Sequence, residues 1–257
     1  MTSLNREAVT SSSYLGFFGT GTHICVPTSD GLIGRMYVTK LYSGIPINKC
    51  ITSPLVPVYQ GTMNFTINSI VKNWLAFSFQ NDLYFIHQIS PEFIVLRVTT
   101  MTETNWSTSI ASISKTPPKV QLLNVSDSII HGSANPVLIK ASKSSWKRDY
   151  YLSIFHILSN DSNSNYASYF FSFSPRLPFR INGVSTRINL NLQGYSSMNC
   201  GGKASPFGFV SGLEVFVCRN ESLGLCVDVG YGVCDMTSRK ITMRLLDLEN
   251  HMMTPFK

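Results

Sequence analysis

Fourteen acidic residues are spread over the 257 positions of the chain, and two of them stand in apolar, strand-like sequence. Glu214 ends the stretch Phe209-Val-Ser-Gly-Leu-Glu, and Asp235 ends Gly230-Tyr-Gly-Val-Cys-Asp. An unpaired carboxylate in such surroundings is costly. Two carboxyl groups facing one cleft can act as acid and base, or as acid and nucleophile. The same residues also have a structural use, accepting backbone N–H groups or pairing with Arg or Lys. Asp82 sits in a turn signal, and Asp127, Asp161 and Glu221 lie in polar loops, where solvation accounts for them. His156 ends the apolar run Tyr151-Leu-Ser-Ile-Phe-His. An imidazole there is either a hydrogen-bonded core group or a contact for a hydroxyl or carboxylate. Trp74 is either core or a stacking platform, and the amide of neighbouring Asn73 needs partners if buried.

Other chemistries have little support. Gly16 to Gly21 lacks the Lys and Ser/Thr of a phosphate loop, and neither a Gly-x-Ser-x-Gly elbow nor a His-Glu-x-x-His pair occurs. The six cysteines are Cys25, Cys50, Cys200, Cys218, Cys226 and Cys234. The last three recur every eight residues, unlike the close pairs of zinc sites. Core thiols or a lumenal disulfide are expected, with no metal and no cofactor.

The elements that must position these groups are strands. The chain is 44% hydrophobic, 12% aromatic and only 14% charged, and it is rich in Ser, Thr and Asn, which suits an all-β protein. Only 239–253, RKITMRLLDLENHMM, reads as a helix, and its first half alternates like a strand just as well. Hairpin signals recur instead. Ser13 to Val26 turns through Gly19-Thr-Gly, and Trp74 to Ile89 turns at Asn81-Asp82. Pro136-Val-Leu-Ile returns at Tyr150 to His156, and Phe209 to Phe216 returns at Leu225 to Tyr231. The Trp74–Ile89 hairpin is apolar on both faces, so both should be covered. The return strands recur roughly every 60 to 75 residues with about four strands per unit, the pattern of propeller blades. A β-sandwich with long loops is the alternative.

The net charge of +7 is scattered, and its densest cluster is Lys140, Lys143, Lys147 and Arg148, around Trp146. A mildly basic surface is expected, without a nucleic-acid partner. No apolar run is long enough for a membrane span. The opening MTSLNREAVTSSS shows no secretory signal, leaving either a cytosolic protein or a missing true N-terminus. Five sequons, at Asn64, Asn105, Asn124, Asn160 and Asn220, lean towards the secretory pathway.

Lys72-Asn73-Trp74, Phe77 and Asn81-Asp-Leu-Tyr-Phe-Ile resemble a motif of the glycosidase-like five-bladed β-propellers, the relatives of β-fructosidases, arabinanases and β-mannoside phosphorylases. His131-Gly-Ser-Ala-Asn-Pro136 is similar to the family's Arg-Gly-Gly-Thr-Pro. Phe209-Val-Ser-Gly-Leu-Glu214 and Gly230-Tyr-Gly-Val-Cys-Asp235 are similar to its last characteristic pair of motifs. The order holds over most of residues 70–245, with Val71 and His131 where the family has Glu and Arg, and the family's early acidic motif is not found in residues 1–50. The resemblance implies a single propeller domain over 1–257, about four blades recognisable and the first partial or missing. It implies a glycan at the channel mouth, acted on in the manner of a hydrolase or phosphorylase, or by a glycosyltransferase-associated protein. Glu214 and Asp235 would be the carboxyl pair that glycoside cleavage needs. Asn73, Trp74, His156 and Tyr231 would contact the sugar. A non-catalytic protein that binds glycan or a protein partner is the alternative.

Overall fold

The structure, a computed structural model, describes residues 37–39, 52–54, 74–101, 106–121, 130–158, 166–195, 200, 206–220, 224–234 and 237–255. Strands β1 (Tyr37–Thr39) and β2 (Thr52–Pro54) form a small antiparallel ribbon. Next come β3 (Leu75–Phe79), β4 (Asp82–Gln88), β5 (Glu92–Met101) and β6 (Trp106–Lys115), paired in chain order as a four-stranded meander. A single helical turn, α1 (Pro118–Gln121), leads onward. The second sheet holds β7 (Ile130–Ile139), β8 (Tyr150–Leu158), β9 (Tyr166–Phe173) and β10 (Ile181–Arg187). The third holds β11 (Gly208–Val217), β12 (Leu225–Val233) and β13 (Thr237–Arg244). The chain then passes through α2 (Leu245–Asp247) and a π-helical turn (Leu248–Met252), and β14 (Met253–Pro255) returns to the edge of the second sheet beside β10.

The all-β expectation is met, and the five-bladed propeller is not. The described strands form separate antiparallel sheets of four, five and three strands besides the ribbon, and none of them closes. The five-stranded sheet lies between the other two, with β7 approaching β3 on one side and β11 on the other. Tyr151, Phe155 and Ile157 of β8 join Leu75, Phe77, Tyr84 and Phe93 of the four-stranded sheet in one core cluster. Tyr150, Leu152 and Ile154, on the other face of β8, join Leu213, Val227, Val229 and Tyr231 of the three-stranded sheet in another. A strand covered on both faces reads as a continuous apolar run wherever it occurs. The double-sided apolar signal is therefore met by a sheet lying between two others, with no closed ring of blades among the described residues.

The β3–β4 hairpin is covered on both faces as expected. Leu75, Phe77, Tyr84 and Ile86 enter the shared aromatic core, where the Phe77 ring lies 5.0 Å from Tyr151 and 5.3 Å from Phe173. Trp74, Ala76 and Phe85 enter a smaller cluster on the opposite face with Ile94 and Leu96. Its turn falls one residue earlier than Asn81-Asp82. Gln80 and Asn81 carry the positive φ angles, 52° and 68°, while Asp82 begins β4 and pairs with Arg97 at 2.8 Å. Two successive positive φ values match the mirror-image turn that suits strand twist. The 239–253 stretch divides, its first half in β13 and its second in α2 and the π turn. The hairpin expected at Ser13–Val26 lies outside the described residues.

Disulfides exceed the expectation. Cys200 is bonded to Cys234 across 34 residues, and Cys218 to Cys226 across eight, at the closed end of the β11–β12 hairpin. Constraining the unfolded chain with a loop that short is worth about 2.5 kcal/mol. Urea titration of the Cys218→Ser/Cys226→Ser double variant should show that loss. Equal stability of the variant and the wild type would mean the bond adds nothing.

Candidate functional site

The three-stranded sheet has one apolar and one polar face. Val227, Val229, Tyr231 and Val233 of β12 point into the core, with Ile241 and Met243 of β13 packed against the same cluster. The alternate residues face the other way, as strand geometry requires. In register, Glu214 stands opposite Asp228, and Asp228 opposite Thr242. Directly opposed residues share a face, so these three form a row across the sheet. Asp228 is buried and gripped from β13: Lys240 Nζ donates to Oδ2 at 2.6 Å, and Thr242 Oγ1 donates to Oδ1 at 2.5 Å. Glu214 is exposed and has no ion-pair partner among the described residues.

The neighbouring row is Gly212, Gly230 and Lys240. It makes a strip of bare backbone beside the two carboxylates. Packing does not demand this, because a Cβ on Gly230 would meet only the Gly212 Cα, at an ordinary 3.9 Å. On the far side of the acidic row, Phe216 is opposite Cys226 and half-buried. The face therefore offers two carboxylates, an ammonium, a hydroxyl, exposed backbone and one aromatic edge within a few strand positions.

The other residues singled out in the sequence lie elsewhere. Asn73 and Asp235 are outside the described residues. Trp74 is 4% exposed, with its ring edge-on to His87 at 5.0 Å and its indole N–H without an acceptor among the described residues. Tyr231 is 3% exposed on the core face, and its hydroxyl donates to the Asn191 carbonyl at 3.3 Å. His156 is 2% exposed on β8, its Nδ1 2.7 Å from Ser133 Oγ and its ring 4.9 Å from Phe209. Burial first, and then the charge of His131, push its pKa down to about 3. It is a neutral core histidine, opposite His131 on β7. Of the named residues that are described, Glu214 alone reaches the polar face.

Two further carboxylates, Asp228 and Glu249, are buried. Asp228 lies at the centre of Leu225-Cys-Val-Asp-Val-Gly, and an acid flanked by β-branched residues on both sides was the available signal. Glu249 is 3% exposed in the π turn and fully engaged. It accepts hydrogen bonds from Ser144 Oγ and Tyr150 Oη, both at 2.6 Å, and from the Ser145 N–H at 2.8 Å. That carboxylate fastens the β7–β8 loop to the C-terminal turn.

Among the described residues, no group of three or more His, Cys, Asp and Glu is placed to hold a metal, and no helix is long and apolar enough to cross a membrane. Asn220, the one sequon asparagine described, is exposed in the β11–β12 turn. No family model, curated protein or solved structure matches this chain.

Proposed function

We propose that the protein binds carbohydrate on the polar face of its three-stranded sheet. The row Glu214–Asp228–Thr242, completed by Lys240, carries this proposal. A sugar presents adjacent hydroxyls that each donate and accept, and it needs acceptors and donors fixed a few ångströms apart. Asp228 is held in place by Lys240 and Thr242, and exposed Glu214 supplies the acceptor facing solvent. The glycine strip admits a ring close to backbone, and Phe216 offers an edge for its apolar side. The motif resemblance supports the same class of ligand, because the last of its motifs, 209–214 and 230–235, fall in β11 and at the end of β12.

The opposed pair also favours a second reading. Cross-strand partners hold their Cβ atoms about 5 Å apart. Carboxyl groups on such a pair are able to reach the separation used by retaining glycoside hydrolases. Asp228 would then be the nucleophile and Glu214 the acid and base.

Glycan-array screening followed by calorimetry tests the binding. Glu214→Gln should weaken it at least tenfold, the effect of losing a charged hydrogen-bond partner. Gly230→Ala should narrow the strip while leaving the melting temperature within a few degrees, since the added Cβ has room. Wild-type affinity in both variants would place any sugar elsewhere. Release of nitrophenol from aryl glycosides by the wild type, lost in Asp228→Asn, would extend binding to catalysis.

A further inference from the structure

A second site lies apart from that sheet. A cleft of about 910 Å³ opens between the β3–β4 turn, the β7–β8 loop and the β9–β10 connection. Its walls carry Lys140, Lys147, Arg148 and Arg176 against one carboxylate, Asp149. Asp149 is already engaged, accepting the Ala141 N–H at 2.7 Å and facing Lys140 Nζ at 3.5 Å. Arg148 is steered by stacking, its guanidinium 5.2 Å from the centre of the Trp146 ring. Its Nε is buried and finds no acceptor among the described residues. With its one carboxylate already engaged, the wall carries a surplus of positive charge that an anion would balance.

We infer that this cleft binds the oxyanion of a phosphorylated or sulfated organic molecule. The cations take the tetrahedral group, with Arg148 and Arg176 offering the forked donors suited to it. The volume greatly exceeds one phosphate and falls in the range of small-molecule sites. Asn81, Asn182 and the side of Tyr151 line the remainder and would hold the organic part. The cationic loop is not free to collapse or drift. Glu249 anchors its backbone through Ser144, Ser145 and Tyr150, which reduces the ordering that a ligand would have to impose.

Phenyl phosphate and phenyl sulfate, titrated separately into the full chain at low ionic strength, test the inference. Saturable one-to-one binding of at least one is expected, and the tighter of the two identifies the ester. Arg148→Gln and Arg176→Gln should each weaken it at least tenfold. Lys143→Gln, an exposed cation of the same loop outside the cleft wall, should stay within twofold of wild type. Because Arg148 also packs on Trp146, Lys147→Gln, at an exposed position, gives an independent cleft variant with an expected loss of threefold or more. The inference is overturned if neither ester binds saturably. Cleft variants that bind like wild type, or a Lys143→Gln loss as large as theirs, would overturn it too, the last by showing diffuse attraction.

Discussion

Glu249→Ala should unfold about 10 °C below the wild type, the largest single-residue effect expected outside the apolar core. The carboxylate is buried and takes three donors from a loop about a hundred residues earlier in the chain. Alanine would leave the Ser144 and Tyr150 hydroxyls in the interior without an acceptor, and would remove the partner of the part-buried Ser145 N–H. Each such group costs about 1–3 kcal/mol, and partial relaxation brings the sum to about 4 kcal/mol. At about 2–4 °C per kcal/mol for a chain of this size, the shift is easily read by calorimetry. Burial and the Glu249 contact both hold the Tyr150 hydroxyl far above the ordinary phenol range, so it stays a donor throughout. Asp247→Ala is the control. That carboxylate is exposed and paired with Arg244 at 2.6 Å, and its loss should barely move the transition. A Glu249→Ala transition within about 2 °C of wild type would show that the C-terminal turn does not hold the loop.

Acidification should be nearly as damaging. Burial lowers the pKa of His156 to about 3 and that of His87 to about 4, from 6.5. Both folded values lie below the unfolded one, so between them the unfolded chain binds the extra protons. Stability is complete above pH 6.5 and falls as the pH drops towards the folded values. At pH 5 each histidine has withdrawn about 2 kcal/mol, together about 4 kcal/mol. Most carboxylates titrate below this window, so the loss between pH 6.5 and 5 reports on the histidines. Urea midpoints across that range should fall steadily for the wild type and about half as steeply for His156→Phe. A flat profile, or one unchanged by the substitution, would mean that His156 takes up its proton without opening the core.

Much of the local structure was visible in the residues. The β7–β8 and β11–β12 hairpins were expected at the pairings observed, and the double-sided burial of β3 and β4 follows from their unbroken apolar pattern. The turn register missed by one residue because Gln80, a poor candidate for positive φ, takes that conformation beside Asn81. For the site, Glu214 was visible as an acid in a strand. Asp228 carries the same local signal, but nothing local says that it will stand opposite Glu214 and meet a lysine twelve residues further on. Trp74, His156 and Tyr231 combine an apolar body with a polar tip, which suits a ligand contact and a core position equally. Burial placed all three inside.

The sequence by itself determined that this is a β protein, where its hairpins lie and which strands must be covered on both faces. Those properties depend on neighbours two to ten residues apart, through side-chain alternation and turn chemistry. Only the tertiary structure decided how the sheets meet, that both Cys200–Cys234 and Cys218–Cys226 join, and which carboxylates share a face. An apolar run records that it is buried but not by what, because hydrophobic burial has no direction. That is why one pattern fits a blade of a closed propeller and a sheet held between two open ones, and why the arrangement of the sheets had to be seen.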